Sequence, residues 1–548
     1  MKTTSYFARL LGIYLVFQLM SLFDLNAQTN YYFYVQFKDK NNTSYSLSNP
    51  SAYLSARAIA RRTAFNIACD STDLPVNVSY LQQITNLGIP VHNVSKWMNG
   101  ATVMLTDSSK MSQVRALSFV KFVQYTGLLV APPLAPSVKD KAKATFNYGI
   151  ASGQINQLNG TNLHNEGFRG KGMVIGVIDA GFNNVDINPC FDSLRLQGRL
   201  LGTKDIINPT SNIFSEDTHG AMVLSTMTGN MPGQYLGTAP DASFWLIRTE
   251  YSPTEYKVET DFWCSGIEFA DSVGVDLVNS SLGYYTFDDP SMSFSYSDMT
   301  GKVSRASRAA TLASKKGIIV VVAAGNEGTS TWHYIGSPAD ADGIISVGSV
   351  TSTGVPSSFS SYGPSYDGRI KPEICATGSS SAVVNTIGTP TYSSGTSFAS
   401  PTMCGMMACL LQKYKSMYSK TDIFTLLSSV FKTGNFFSNP TTQMGYGIPD
   451  FQQAELNLSI INNLLAVHKG SFMMAYNPAF KTINIRFIDN LNPKQSSVKI
   501  YSLTGTLVLN QLITDNSSYL QVDNLQSGVY IVSVSENEKT ETRKMIIY

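Results

Sequence analysis

Apolar positions follow three rhythms along the chain. Between residues 31 and 126, short apolar runs alternate with amphipathic stretches; residues 32–37 and 119–124 predict strands, and 78–87 and 109–117 predict helices. From about residue 146 the strands become continuously apolar, at 173–178, 275–279 and 318–324, with shorter candidates at 243–247 and 344–347. Helical patterns over 261–272 and 303–316 separate them. Strands apolar on both faces with helices between them predict a buried parallel sheet. Beyond about residue 466 short strands take over, at 483–487, 497–509 and 528–534, punctuated by Asn477-Pro478, Thr504-Gly505 and Ser527-Gly528. Such spacing predicts a small β-sandwich.

Two segments fall outside these rhythms. Lys2 and Arg9 flank the start of an apolar run over residues 10–22, and Ala27 offers a small residue for cleavage. The run suits an export signal and is short for a membrane span. Residues 131–145 are rich in proline and lysine, which favours an exposed, extended connector open to proteolysis. The expected organisation is a signal at 1–27, an α+β unit at 28–130, a connector at 131–145, an α/β unit at 146–458 and a β-sandwich at 466–548.

Length agrees, because 548 residues exceed what one hydrophobic core holds. Charge adds an exclusion: 40 basic against 38 acidic side chains point to no nucleic-acid partner. None of the six cysteines forms a CxxC pair, so no zinc site is expected. Cys404 and Cys409 sit five apart on one predicted helix and face different ways, which opposes a bond between them. Other pairings are unreadable from sequence.

Candidate chemistry sits at the ends of the apolar strands. Serine-based acyl transfer needs a hydroxyl, a base in reach of it, a carboxylate orienting the base, and donors for the oxyanion. Asp179 ends the strand at 173–178, at the rim where open α/β sheets place their sites. His219 is one of only five histidines and opens a predicted helix that Asp217 or Thr218 could cap. Ser397 starts an apolar helix, beside its positive dipole end, with Ser394 and Ser400 as nearby competitors. Asn326 follows the strongest strand and carries an amide donor. Read singly, each is an ordinary turn or cap residue. The order Asp, His, Ser along the chain is the subtilisin order, and Ser397 lacks the Gly-x-Ser-x-Gly elbow of α/β-hydrolases.

These blocks resemble the subtilase (peptidase S8) family: Asp179-Ala180-Gly181, Asp217-Thr218-His219-Gly220, Gly325-Asn326-Glu327-Gly328 and Gly395-Thr396-Ser397 through Pro401. The resemblance spans about residues 151–456. It implies a subtilisin-like α/β fold, a seven-stranded parallel sheet with helices on both faces. It implies that Asp179 orients His219, His219 activates Ser397 and Asn326 helps bind the oxyanion. It also implies that Ser281, Leu282 and Gly283 pair with substrate backbone while Ala324 and Gly325 form the opposite wall of the pocket. Met222, Thr402 and Met403 depart from the commonest family pattern and touch no triad position. No metal or cofactor is expected for catalysis, and a structural calcium is not readable.

The flanks fit the same family. The 31–126 region, including residues 53–62, is similar to subtilase inhibitory propeptides, which implies an intramolecular inhibitor. Residues 498–506, 525–534 and 544–548 resemble the C-terminal sorting domains of exported Bacteroidetes proteins. That implies delivery by the type IX secretion machinery, through the periplasm of a Gram-negative cell, to the surface or medium. The expected activity is a secreted serine endopeptidase acting on protein or peptide substrates.

Overall fold

The computed structural model describes residues 30–129, 148–417, 423–467, 472–477, 481–487, 496–513, 517–536 and 539–547. The expected signal and connector lie outside the described residues.

The N-terminal unit is an antiparallel sheet of β1 (Asn30–Phe37), β2 (Val91–Ser95), β3 (Gly100–Leu105) and β4 (Val120–Leu129), ordered β2-β3-β1-β4. Helices α1 (Ala56–Ala64) and α2 (Val78–Asn86) start at Ser55 and Asn77, whose side chains accept first-turn N–H groups. Side chains along β1 alternate between faces. Phe33, Val35 and Phe37 fill the unit's own core with Ile84 and Val103. Tyr32 and Tyr34 point the other way and join Phe262 and Trp263 of the central unit. Because both faces of β1 are covered, its sequence is apolar almost throughout.

The central unit is built on seven strands: β5 (Val174–Asp179), β6 (Leu200–Asp205), β7 (Ser243–Arg248), β8 (Leu277–Ser280), β9 (Ile319–Ala323), β10 (Ile345–Val350) and β11 (Ile374–Thr377). They are ordered β11-β10-β9-β8-β5-β7-β6 and every pairing is parallel. Four helices cover the sheet: α3 (His219–Thr228), α4 (Val258–Val273), α5 (Arg305–Lys315) and α6 (Thr396–Met417). Ile175, Val177, Ile319 and Val321 share one core with side chains of α3 and α6. Val174, Ile178, Val320 and Val322 share the other with α4 and α5. Each fully buried Val or Ile contributes roughly 1.5–3 kcal/mol, which explains why these strands show no polar alternation.

The C-terminal unit has two sheets. One orders β12 (Phe472–Asn477), β13 (Thr482–Phe487) and β16 (Ser517–Gln521) as β12-β13-β16. The other orders β14 (Ser496–Ser502), β15 (Leu507–Ile513), β17 (Gly528–Glu536) and β18 (Lys539–Ile547) as β15-β14-β17-β18. Ile483, Ile485 and Leu520 of the first meet Val498, Ile500 and Val532 of the second in one cluster, so the unit is a sandwich. The apolar run expected at 497–509 is two strands, broken by a turn in which Gly505 takes φ +83. All six cysteines are unpaired. No helix among the described residues is long and apolar enough to cross a membrane.

The N-terminal unit docks on α4 and the chain beyond it through charges, most of them buried. Arg57 of α1 pairs with Asp276, and Arg61 pairs with Asp271. Arg62 donates to Asp73 at 2.7 Å and to Asp271 at 3.0 Å, and Lys96 lies 3.4 Å from Asp271. Burial by itself would raise the Asp271 carboxyl; Lys96, Arg61 and Arg62 together hold it below the usual carboxylate range. Glu268 of α4 accepts from the N–H groups of Lys96 at 2.8 Å and Trp97 at 3.2 Å.

Candidate active site

Asp179 closes β5 and is fully buried. Its Oδ1 accepts from the Ala180 N–H at 2.8 Å and lies 2.8 Å from His219 Nδ1. His219 is the first residue of α3, held there because Asp217 Oδ1 accepts its backbone N–H at 2.7 Å. Of the two caps the sequence offered, Asp217 makes this bond and the Thr218 side chain makes none. Gly220 permits the approach of helix to strand. A Cβ there would stand 2.3 Å from the Gly181 oxygen and 2.9 Å from Asp179 Cβ.

The carboxylate fixes Nδ1 of His219 as the protonated nitrogen and leaves Nε2 as the acceptor. Burial lowers the imidazole pKa, but the charge and hydrogen bond of Asp179 outweigh it and raise His219 to about 9. The ring lies beside that of Phe398, the residue after Ser397, with centroids 6.1 Å apart.

Ser397 is the second residue of α6 and 8% exposed. Pro401 has no N–H to donate back to the Ser397 carbonyl. Ser281 Oγ donates to that carbonyl instead, at 2.9 Å. Asn279 Nδ2 donates to Ser281 Oγ at 3.1 Å, and Ser400 Oγ donates to Asn279 Oδ1 at 2.8 Å. The segment after β8 is thereby fastened to the start of α6. Ser397 Oγ donates to the Ser281 carbonyl at 3.4 Å and makes no hydrogen bond to His219. Contacts to a catalytic base commonly tighten only in the substrate complex.

Asn326 follows β9. Its Oδ1 accepts from Thr396 N at 2.9 Å and Thr396 Oγ1 at 3.1 Å, which leaves the NH2 group for a ligand. A Cβ placed on Gly395 would lie 3.7 Å from both Asn326 Nδ2 and Ser397 N. Two donors therefore flank one small volume, and the Ser397 N–H has no acceptor within its own helix.

A cleft of ≈ 110 Å³ is lined by Ser281, Leu282, Gly283, Ala324, Gly325, Asn326 and Ser397. Every substrate-binding residue expected from the sequence lines it. Thr396, which orients Asn326, and the Asn279–Ser281 fastening were not assigned roles by sequence reasoning. Pro401, four residues after Ser397, was the available signal for the second. A larger cleft of ≈ 460 Å³ lies at the seam between the N-terminal unit and α4, near His92, Lys96 and Glu268. It is lined by Ser265, Ser272 and Asp205 as well, but His92 Nε2 bonds the Ile206 carbonyl at 3.1 Å rather than a serine or a carboxylate, so no nucleophile–base pair is assembled there.

Comparison with known proteins agrees. The subtilase family profile matches residues 170–447. A peptidase S8 propeptide domain of Bacteroidota matches residues 32–143, and a secretion system C-terminal sorting domain matches 476–548. Subtilisin DY of Bacillus licheniformis is 32% identical over 271 residues, covering 48% of this chain and 85% of that protein. Subtilisin E of Bacillus subtilis (strain 168) is 28% identical over 358 residues, covering 65% and 81%. The sorting domain indicates export to the medium or the cell surface. The chain therefore belongs to the subtilase family, as a serine endopeptidase that carries a Bacteroidota propeptide domain and secretion signal.

Proposed function

We propose that this endopeptidase works through an Asp179–His219–Ser397 triad and an acyl-enzyme intermediate. The observation that carries the reading is the 2.8 Å His219–Asp179 hydrogen bond at the carboxyl end of β5, with Ser397 at the facing helix start. An extended substrate pairs its backbone with Ser281, Leu282 and Gly283, opposite Ala324 and Gly325. Ser397 Oγ turns from the Ser281 carbonyl and attacks the scissile carbonyl carbon as His219 Nε2 takes its proton. Asp179 stabilises the resulting imidazolium. Negative charge on the carbonyl oxygen falls between Asn326 Nδ2 and the Ser397 N–H. His219 then protonates the departing amine, the C–N bond breaks, and water releases the acyl group by the same path in reverse. None of these steps calls for a metal or cofactor. The N-terminal unit serves as the intramolecular inhibitor until the connector is cut and the unit is released.

A fluorophosphonate probe tests this. It should label the processed chain at Ser397. The Ser397→Ala chain should lose both labelling and peptide turnover and, where cleavage is self-catalysed, should keep its N-terminal unit attached. Turnover persisting in Ser397→Ala would remove the serine from the mechanism and with it the proposal.

A further inference from the structure

Beside the triad, Glu250, Glu255 and Glu259 each bring a carboxylate oxygen to within 4.8 Å of the other two. Glu250 lies two residues beyond β7, Glu259 is the second residue of α4, and Glu255 sits in the loop between. The basic groups nearby are engaged elsewhere, His219 among them, with Asp179 at 2.8 Å. Arg248 pairs with Asp205 and Glu216, and Lys257 lies over the rings of Phe287 and Phe294.

Glu259 is fully buried. Its Oε1 accepts the Tyr251 N–H at 3.0 Å, while its Oε2 is enclosed with no hydrogen-bond partner. A dry acceptor without a donor is unfavourable and calls for an occupant. The other two are held in place. Glu250 Oε2 accepts from Tyr284 Oη at 3.1 Å, and the backbone of Glu255 is tied to Asp288 by bonds of 3.1 and 2.8 Å.

We propose that Glu250, Glu255 and Glu259 together bind one hard divalent cation of the calcium class. The donor set is all oxygen, and calcium takes carboxylates at about 2.3–2.6 Å in flexible geometry. Oxygens on opposite sides of such an ion stand about 5 Å apart, which the cluster's spread fits. The enclosure of Glu259 Oε2 selects a bare ion over a substrate amine, which would need an open path for its carbon stem. The ion would tie the loop after β7 to the start of α4. Through Tyr284 it would also brace the residues that follow Gly283. Glu250 lies close enough to the triad for its charge to act on His219, but the site does not rest on the proposed mechanism.

The test uses the full-length Ser397→Ala chain, which does not digest itself, stripped with chelator. Calcium is titrated calorimetrically, and terbium is followed by its emission sensitised through neighbouring tyrosines. Glu255→Gln and Glu250→Gln should each remove one bound calcium per chain. They should cut sensitised terbium emission at least tenfold and shrink the calcium-dependent rise in Tm. Glu259 lies deepest, so the two half-buried positions carry the test if Glu259→Gln fails to fold. An unchanged calcium count and Tm response in Glu255→Gln would overturn the proposal. So would a changed preference for basic peptides, in the active chain carrying Glu255→Gln, with calcium binding intact, since that would make a substrate cation the occupant.

Discussion

Replacing Arg61 by methionine should loosen the hold of the N-terminal unit on the peptidase by about two orders of magnitude. The guanidinium pairs with Asp271, donates to the Val275 carbonyl and reaches the Lys316 carbonyl at 3.3 Å. Both Arg61 and Asp271 are almost wholly buried. Removing one partner of a buried pair costs about 3–5 kcal/mol, because the remaining charge is left in low dielectric. Here Arg62 and Lys96 stay on Asp271 at 3.0 and 3.4 Å. The loss therefore sits near the lower end, about 3 kcal/mol. At about 1.4 kcal/mol per decade, that is about a 100-fold weaker complex. Methionine keeps most of the apolar stem, so the change reads the charge rather than the volume. The assay follows the full chain as it matures. Gel analysis times the cleavage of the connector, and a fluorogenic peptide times the appearance of activity. The interval between the two events should shorten by about the same factor of 100. Arg115→Met, at an exposed position, should leave it unchanged. An Arg61→Met interval within twofold of the parent would refute the reasoning, because Asp271 would then not need its third cation.

Other consequences can be measured on the mature enzyme. Asn326→Asp keeps the acceptor for Thr396 but replaces the donor with a negative oxygen, so kcat should fall at least as far as the ~10²–10³ known for the subtilisin donor, with Tm little changed. Full activity in Asn326→Asp would take this side chain out of oxyanion binding. The pH profile follows from His219, which must be neutral to accept a proton. Because its pKa is raised from the ordinary value towards about 9, kcat/KM should climb through neutrality and level off in the alkaline range. A profile flat between about pH 6 and 9 would contradict the coupling to Asp179. The same shift makes the charged His219–Asp179 pair stabilising below about pH 6.5, with that contribution lost as pH rises through about 9. Gly220→Ala should lower kcat by more than about tenfold while most of the fold survives, since the new methyl would meet the Gly181 oxygen and push α3 from Asp179. Wild-type kcat in that variant would show that the approach is not tight.

The sequence by itself determined the kind of sheet and pointed to the order of the units and to the groups proposed to react. Continuous apolar strands at 173–178 and 318–324 can only be satisfied by burial on both faces, which requires helices above and below. The chemistry was legible because Asp179, His219, Asn326 and Ser397 each sit where a regular element starts or stops, and those breaks show in the local pattern. What depends on chain segments far apart was not legible. The fastening of Ser281 to the Ser397 carbonyl joins residues 116 positions apart, and Thr396 grips Asn326 across 70. Arg61, Arg62 and Lys96 converge on Asp271 only because β1 and α1 lay the N-terminal unit across α4. Glu250, Glu255 and Glu259 look like ordinary surface charges along the chain, and the fold crowds them together and buries one. Side-chain periodicity reports which way a residue faces. Which distant partner it meets there, and how much water is left between them, was decided by the packing of the whole molecule.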